Sequence, residues 1–133
     1  MEGAAIASAR SAQIYDMKIL DREIEDNPRN TTRFFVLGRS DAPPSGDDKT
    51  SIVFLLKHKP GTLYQALGEF AKRRINLTKI ESRPTRQKPW EYNFYLDFEG
   101  HRSDSAVHQT LIQLEDISLF LKVLGSYPKA RQT

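Results

Sequence analysis

Two short stretches of the sequence carry residue types that could bind a small charged molecule. Gly61-Thr62-Leu63 stands at the start of a predicted helix, where free backbone N–H groups attract anions and a glycine leaves the backbone accessible. The stretch from Asn76 to Pro84 mixes apolar, acidic and basic residues in a predicted strand that ends at a proline. A turn glycine or a charged edge strand is common, so neither stretch alone assigns a site. Together they favour a pocket for a molecule that carries both a carboxylate and an ammonium group.

The elements that would position these stretches are predicted from hydrophobic periodicity. Apolar runs and alternating apolar and polar residues indicate strands, and apolar residues every three or four positions indicate helices. The predicted elements are strands over 51–57, 76–83, 91–99 and 118–124, a helix over 62–74, and a helix that begins at Ser103 or Asp104. The order βαββαβ predicts an α+β, ferredoxin-like sandwich, with a four-stranded antiparallel sheet and two helices on one face.

The rest of the chain divides at residues 39–50, which are rich in proline and aspartate and predict a linker. This division gives a front piece over 1–38, a compact domain over 51–128 and a tail over 129–133. Within the front piece we expect a helix from Ala4 to Tyr15 and strands over 17–20 and 33–37. These elements cannot close a core by themselves, so the front piece is predicted to be either the remnant of a larger domain or an arm that needs a partner.

The two candidate stretches resemble the ACT regulatory domain of prephenate dehydratases. Gly61-Thr62-Leu63-Tyr64-Gln65-Ala66-Leu67 is similar to that family's Gly-Ala-Leu-x-x-x-Leu element, with Thr62 in place of alanine, and Glu81-Ser82-Arg83-Pro84 matches its Glu-Ser-Arg-Pro element. Both elements border the L-phenylalanine pocket of that family. The resemblance implies the following ligand-binding residues: Gly61, Thr62, Leu63, Leu67, Asn76, Leu77, Glu81, Ser82, Arg83 and Pro84. Similar ACT domains occur in aromatic amino acid hydroxylases, so these motifs alone leave the enzyme open.

A third motif, Asn30-Thr31-Thr32-Arg33-Phe34, resembles the Asn-x-Thr-Arg-Phe motif near the end of the prephenate dehydratase catalytic domain. The resemblance implies that Thr32, Arg33 and Phe34 are catalytic, with Thr32 assisting loss of the hydroxyl group from prephenate. The resemblance also implies that the front piece is the remnant of an α/β catalytic domain. Most of that domain would lie upstream, so we expect the chain alone to be inactive. The resemblance further implies a cytoplasmic enzyme without a cofactor, inhibited by L-phenylalanine and paired as a homodimer or higher homo-oligomer through its ACT domains.

Composition narrows the other classes of function. The 133 residues include no cysteine, which excludes disulfides and thiolate metal sites, and no apolar run approaches the ~18 residues of a membrane span. The histidines His58, His101 and His108 lack metal-ligand spacing. We therefore expect no metal site and no membrane association.

An RNA-recognition module is the rival interpretation, since the order βαββαβ, a net charge of +3 and an aromatic third strand suit one. Such a module begins this strand with a basic residue and a glycine, whereas this strand begins at Trp90 and Glu91. It also carries Asp97 and Glu99, which would repel phosphates. We therefore expect no nucleic-acid partner.

Overall fold

The computed structural model describes residues 3–27, 34–85 and 92–130. The chain forms two compact units, Met1–Val36 and Leu37–Thr133. The first unit contains helix α1 (Ala9–Ile14). The second unit contains strands β1 (Asp48–Leu56), β2 (Leu77–Pro84), β3 (Tyr92–Glu99) and β4 (Ser118–Pro128), with helices α2 (Thr62–Lys72) and α3 (Ser105–Ile117).

The four strands form one antiparallel sheet in the order β2-β3-β1-β4. The central strand β1 pairs with both β3 and β4, so that Phe54 lies opposite Phe94 on one side and Leu121 on the other. The apolar run predicted to form a central strand therefore occupies that place, since its backbone groups are paired on both sides. The predicted ferredoxin-like fold is confirmed.

The hydrophobic core lies between the sheet and the two helices. Phe54 stacks on Phe94 with ring centroids 5.5 Å apart, and Phe70 of α2 meets Phe98 at 5.0 Å. Each fully buried side chain of this kind stabilises the fold by about 1.5–3 kcal/mol. The buried apolar residues include Ile52, Phe54, Leu56, Ala66, Phe70, Leu96, Phe98, Val107, Leu111 and Leu114.

The predicted alternation of β3 decides which aromatic side chains remain available. Phe94 and Phe98 face the helices and pack in the core, whereas Tyr95 and Asp97 alternate onto the opposite face. An RNA-recognition module stacks bases on the aromatic side chains of its open sheet face. Here the core takes up Phe94 and Phe98, and Tyr95 is the aromatic residue of β3 on the open face.

Two strands are longer than predicted. β1 begins at Asp48, inside the predicted linker, because Asp48 and Thr50 pair with Pro128 and Ser126 of β4. The prediction that the last strand ends at residue 124 is wrong, since β4 passes through Gly125 to Pro128. A register shift between Ser51 and Ile52 marks a β-bulge at this point, and a bulge accommodates a glycine without ending the strand.

The first unit has less regular structure than its sequence predicts. The helix expected over 4–15 covers only Ala9–Ile14, because a short helix without tertiary packing is marginal in water. The strands expected over 17–20 and 33–37 are wrong where the structure describes them, since neither 17–20 nor 34–37 is strand. A strand needs a partner for its backbone groups, and in the described part of the first unit no strand forms.

Candidate functional site

The start of α2 opens onto a shallow groove. Gly61 is the N-cap of this helix and has φ +83°, a left-handed conformation that favours glycine. The Thr62 amide donates to the Lys59 carbonyl over a long 3.4 Å. The amides that follow it in the first turn have no carbonyl partner within the helix, so they can bind an anion. The groove has a volume of about 350 Å³ and is lined by Leu56, Lys57, His58, Lys59, Gly61, Thr62, Leu63, Tyr64, Tyr92 and Phe94.

The lining of the groove has two chemical characters. Leu56, Tyr92 and Phe94 provide an apolar and aromatic floor, and the exposed segment 57–59 adds a basic rim beside the helix start. A cationic rim and a helix N-terminus both favour a negative group, while the floor favours an apolar one. The groove therefore suits a small carboxylate with an apolar or aromatic side chain.

The side chain of Thr62 belongs to the wall of the groove. Its hydroxyl Oγ1 lies 3.0 Å from the carbonyl oxygens of both Lys57 and Lys59 and donates to them. The threonine thus ties the segment between β1 and α2 to the helix start. At this position, where the family motif has alanine, the Thr62 hydroxyl donates to nearby backbone carbonyls.

The segment Glu81-Ser82-Arg83-Pro84 lies beside the groove at the end of β2. Ser82 is opposite Phe94 and Pro84 is opposite Tyr92, so these two residues neighbour the aromatic floor. Glu81 and Arg83 alternate onto the other face of the sheet. The predicted motif is therefore divided between two faces.

Glu81 is the centre of a small ion-pair network on that other face. Its carboxylate pairs with Lys79 at 3.0 Å and with Arg83. The hydrogen bond from Lys79, followed by the charges of Arg83 and Lys79, lowers the pKa of Glu81. These three side chains are partly exposed and belong to the same strand, and exposed ion pairs contribute little stability.

Asn76 and Leu77 lie at the opposite end of the domain from Gly61. The Asn76 carbonyl accepts a hydrogen bond of 2.9 Å from the Glu99 amide, and Leu77 lies opposite Phe98. The 11 residues of α2 separate Gly61 from Asn76, and at 1.5 Å per residue this helix is about 16 Å long. A single chain therefore does not bring both predicted ligand contacts to one small molecule.

The remaining predicted residues are less informative. Leu67 is partly buried on α2 and packs against the core. Phe34 is 84% exposed, while Thr32 and Arg33 lie outside the described residues.

Sequence reasoning missed the floor of the groove and its basic rim. Apolar and polar residues alternate over 91–99, which puts Tyr92 and Phe94 on one face of β3, and this alternation is the available signal. Only the pairing of β3 with β1 shows that the first residues of this face reach the groove beside Gly61.

Within the described ranges, no group of three or more histidine, cysteine, aspartate or glutamate side chains could hold a metal ion. None of the helices described is both long and apolar enough to cross a membrane.

The fold and the match of a family model define the class of protein: this chain belongs to the ACT domain family, whose model matches residues 50–116. The family model named prephenate dehydratase matches residues 1–42. A bifunctional chorismate mutase/prephenate dehydratase from Aquifex aeolicus is 52% identical over 126 residues, which cover 95% of this chain and 35% of that protein. The chain thus spans about a third of the length of the curated relatives it matches. The predicted resemblance to the C-terminal part of prephenate dehydratase is confirmed.

Solved structures are also similar to this chain. A prephenate dehydratase from Arthrobacter aurescens in complex with L-Phe has 42% identity and a TM-score of 0.63, covering 68% of this chain and 30% of that one. GqqA, described as a novel type of quorum quenching acylase, has 30% identity and a TM-score of 0.65, covering 71% of this chain and 48% of that one.

Proposed function

We propose that this chain is the L-phenylalanine-sensing regulatory region of a prephenate dehydratase. The observation that carries the proposal is the groove at the start of α2, which combines a helix N-terminus, a basic rim and an aromatic floor. The relative solved in complex with L-Phe is 42% identical to this chain, which supports the choice of ligand. An amino acid with an aromatic side chain matches both characters of the groove.

In the proposed pose, the ligand carboxylate accepts hydrogen bonds from the amides at residues 61–63. Its ring lies on Leu56, Tyr92 and Phe94, beside Ser82 and Pro84. The stacking of aromatic rings adds about 0.5–1.5 kcal/mol to the apolar contact. The ring is therefore the part of the ligand that the floor selects.

The ammonium group requires a second copy of the chain. In one amino acid the carboxylate and the ammonium are attached to the same carbon, whereas Gly61 and Asn76 are separated by the length of α2. If Asn76 and Leu77 bind the ammonium, they come from the partner protomer. The ligand then binds between two ACT domains, and two equivalent sites arise in a twofold dimer.

Calorimetric titration of the purified chain tests the ligand. We expect L-phenylalanine to bind and D-phenylalanine to bind much more weakly. In the D enantiomer the carboxylate, the ammonium and the benzyl group cannot all reach their contacts at the same time. L-Tyrosine and L-tryptophan measure the selectivity of the floor. A folded dimer that binds none of these amino acids would contradict the proposal.

Mixing two variants tests the site between protomers. Thr62→Trp covers the amides of one protomer and Asn76→Ala removes the contact from the other, so neither variant alone should bind L-phenylalanine. A mixed dimer combines one intact Gly61 side with one intact Asn76 side, and binding should return to a fraction of the sites. If mixtures never bind while both variants remain dimeric, the site lies within one protomer.

For the whole protein we propose conversion of prephenate to phenylpyruvate, with Thr32, Arg33 and Phe34 in the catalytic site and residues 1–38 as part of the catalytic domain. L-Phenylalanine would inhibit this reaction with a coupling free energy of typically 1–3 kcal/mol. The chain alone should form no phenylpyruvate, because it spans only about a third of the length of the dehydratase relatives it matches. Detectable phenylpyruvate from the purified chain and prephenate would disprove this expectation.

A further inference from the structure

The segment that leads into β1 is bound to the sheet, although its composition predicts a linker. The Asp41 carboxylate accepts a hydrogen bond from the Ser126 amide at 3.0 Å, and the Ala42 amide donates to the Ser126 carbonyl at 3.2 Å. These bonds attach the segment to the far end of β4. We call residues 41–48 the joint.

Two side chains from the turn between β3 and α3 hold the joint. His101 is 5% exposed, and its Nε2 lies 3.1 Å from the Ala42 carbonyl oxygen. Arg102 donates from its guanidinium to the Asp41 carboxylate at 3.0 Å. One contact is buried and the other is at the surface, so His101 is expected to contribute more than Arg102.

His101 also contacts its own turn through Nδ1, which lies 2.7 Å from the Ser103 hydroxyl and 3.1 Å from the Ser103 amide. In the tautomer that carries the ring proton on Nε2, the Ser103 amide donates to Nδ1 and Nε2 donates to the Ala42 carbonyl. The imidazole therefore bridges the turn and the joint.

The other end of the joint is fixed by Asp48. Its carboxylate accepts from the Ser45 amide (2.8 Å), the Ser45 hydroxyl (2.6 Å) and the Gly46 amide (3.1 Å). The backbone carbonyl of Asp48 accepts from the Gly100 amide at 2.8 Å. Both ends of the joint are thus hydrogen-bonded to the domain.

A continuous path of bonds leads from the joint to the proposed ligand residue Asn76. Glu99 donates to the Asn76 carbonyl, the next residue Gly100 donates to the Asp48 carbonyl, and His101 follows. The joint also lies at the boundary between the two family matches. The prephenate dehydratase match ends at residue 42, and the ACT domain match begins at residue 50. A change at Asn76 therefore has a short route to the chain that enters the ACT domain.

We propose that the joint is a ligand-responsive attachment of the preceding chain, with His101 and Arg102 as its positioning residues. The attachment itself stands on the hydrogen bonds described above, whereas the response to ligand rests on the proposed function. L-Phenylalanine at Asn76 would change the strength of this attachment. As a result, ligand binding would either strengthen or weaken the attachment of the preceding chain to the ACT domain.

Amide hydrogen exchange measured by NMR tests the attachment in the ligand-free chain. The Ala42 amide should be protected, and His101→Ala should speed its exchange by on the order of tenfold or more. His108→Ala is the matched control, because it removes an exposed histidine of α3 and should leave Ala42 unchanged. An unprotected Ala42 amide in the unmodified chain would overturn the attachment.

Three further variants keep the test decisive if His101→Ala unfolds the domain. Asp41→Ala removes a surface residue and should speed exchange at Ala42 while the core amides of Ile52 and Leu96 stay protected. Arg102→Lys should have a smaller effect than Arg102→Ala, because lysine keeps the charge but loses the planar fork. Equal exchange at Ala42 in Asp41→Ala and the unmodified chain would overturn the role of the joint.

The ligand response is measured on the same amide. Saturating L-phenylalanine should change the exchange rate of Ala42 in the unmodified chain, and this change should be reduced in Asp41→Ala although calorimetry shows that the variant still binds. Binding without any change at Ala42 would overturn the response and leave the proposed function intact. No binding at all would remove the proposed function and the response together, and the ligand-free experiments would still decide the attachment.

Discussion

Gly61 is the residue whose backbone conformation matters most for the candidate site. Its φ of +83° lies in the region where a side chain is strained, although open space surrounds the position that a Cβ would occupy. The cost of substitution is therefore conformational rather than steric. A larger residue at 61 would test ligand binding and folding at the same time, so its effect on stability has to be measured separately.

We predict that Gly61→Ala lowers the free energy of unfolding by about 1–2 kcal/mol, the usual cost of an L residue in this conformation. The matched control is Gly68→Ala, at a helical glycine of α2 with no heavy atom near its Cβ position. This change should instead raise stability by about 0.5–1 kcal/mol, because alanine loses less backbone entropy. Urea unfolding of both variants measures the two effects. A change of the same sign in the free energy of unfolding of both variants would contradict the left-handed conformation of Gly61.

Asp48 predicts how stability depends on acid. The Ser45 hydroxyl, followed by the amides of Ser45 and Gly46, lowers the pKa of this carboxyl below its ordinary value of 3.8 against the opposing effect of burial. A depressed pKa in the folded state stabilises the protein above the unfolded value, and this contribution is lost as pH falls through the folded value. The urea concentration at the unfolding midpoint should therefore decrease as the pH drops below about 4. This decrease should be smaller in Asp48→Asn. Parallel pH profiles would contradict this account.

At the scale of elements, the apolar stripe of each helix decides how it packs on the sheet. Leu114 of α3 is fully buried, whereas Ile112 on the same helix is 38% exposed. The two residues differ little in size but lie on different faces of one helix. This pair separates the effect of burial from that of residue type.

We predict that Leu114→Ala destabilises the domain by about 2–5 kcal/mol, because it removes buried methyl groups and leaves a cavity. Ile112→Ala should cost well under half of that, since its side chain already contacts water. Denaturant titration of both variants measures the difference. Similar losses for the two changes would mean that α3 packs with another face.

At the scale of the whole molecule, ligand and partner contribute to the stability of a small domain. If L-phenylalanine binds the folded dimer alone, it stabilises the fold by about 2.7 kcal/mol at 100 times its dissociation constant. We therefore predict that Tm rises with both L-phenylalanine and protein concentration. Differential scanning calorimetry at several concentrations tests both dependences. A Tm that responds to neither would contradict ligand binding by a dimer.

The sequence by itself determined the fold, because the signals for it are local. The alternation of β3 and the apolar stripes of α2 and α3 depend only on the spacing of neighbouring residues. Its motifs also led to the ACT domain and to prephenate dehydratase, which the family models confirm. Predictions failed in the first unit and at the ends of β1 and β4, where a strand depends on a partner far away in the chain.

Only the tertiary structure decided how the residues of the candidate site are combined. Tyr92 joins Gly61 in the groove because β3 pairs with β1, and α2 holds Gly61 and Asn76 far apart. The structure likewise attaches Ala42 to His101, which is 59 residues away in sequence. Contacts of this kind join distant parts of the chain, and the spacing of neighbouring residues carries no information about them.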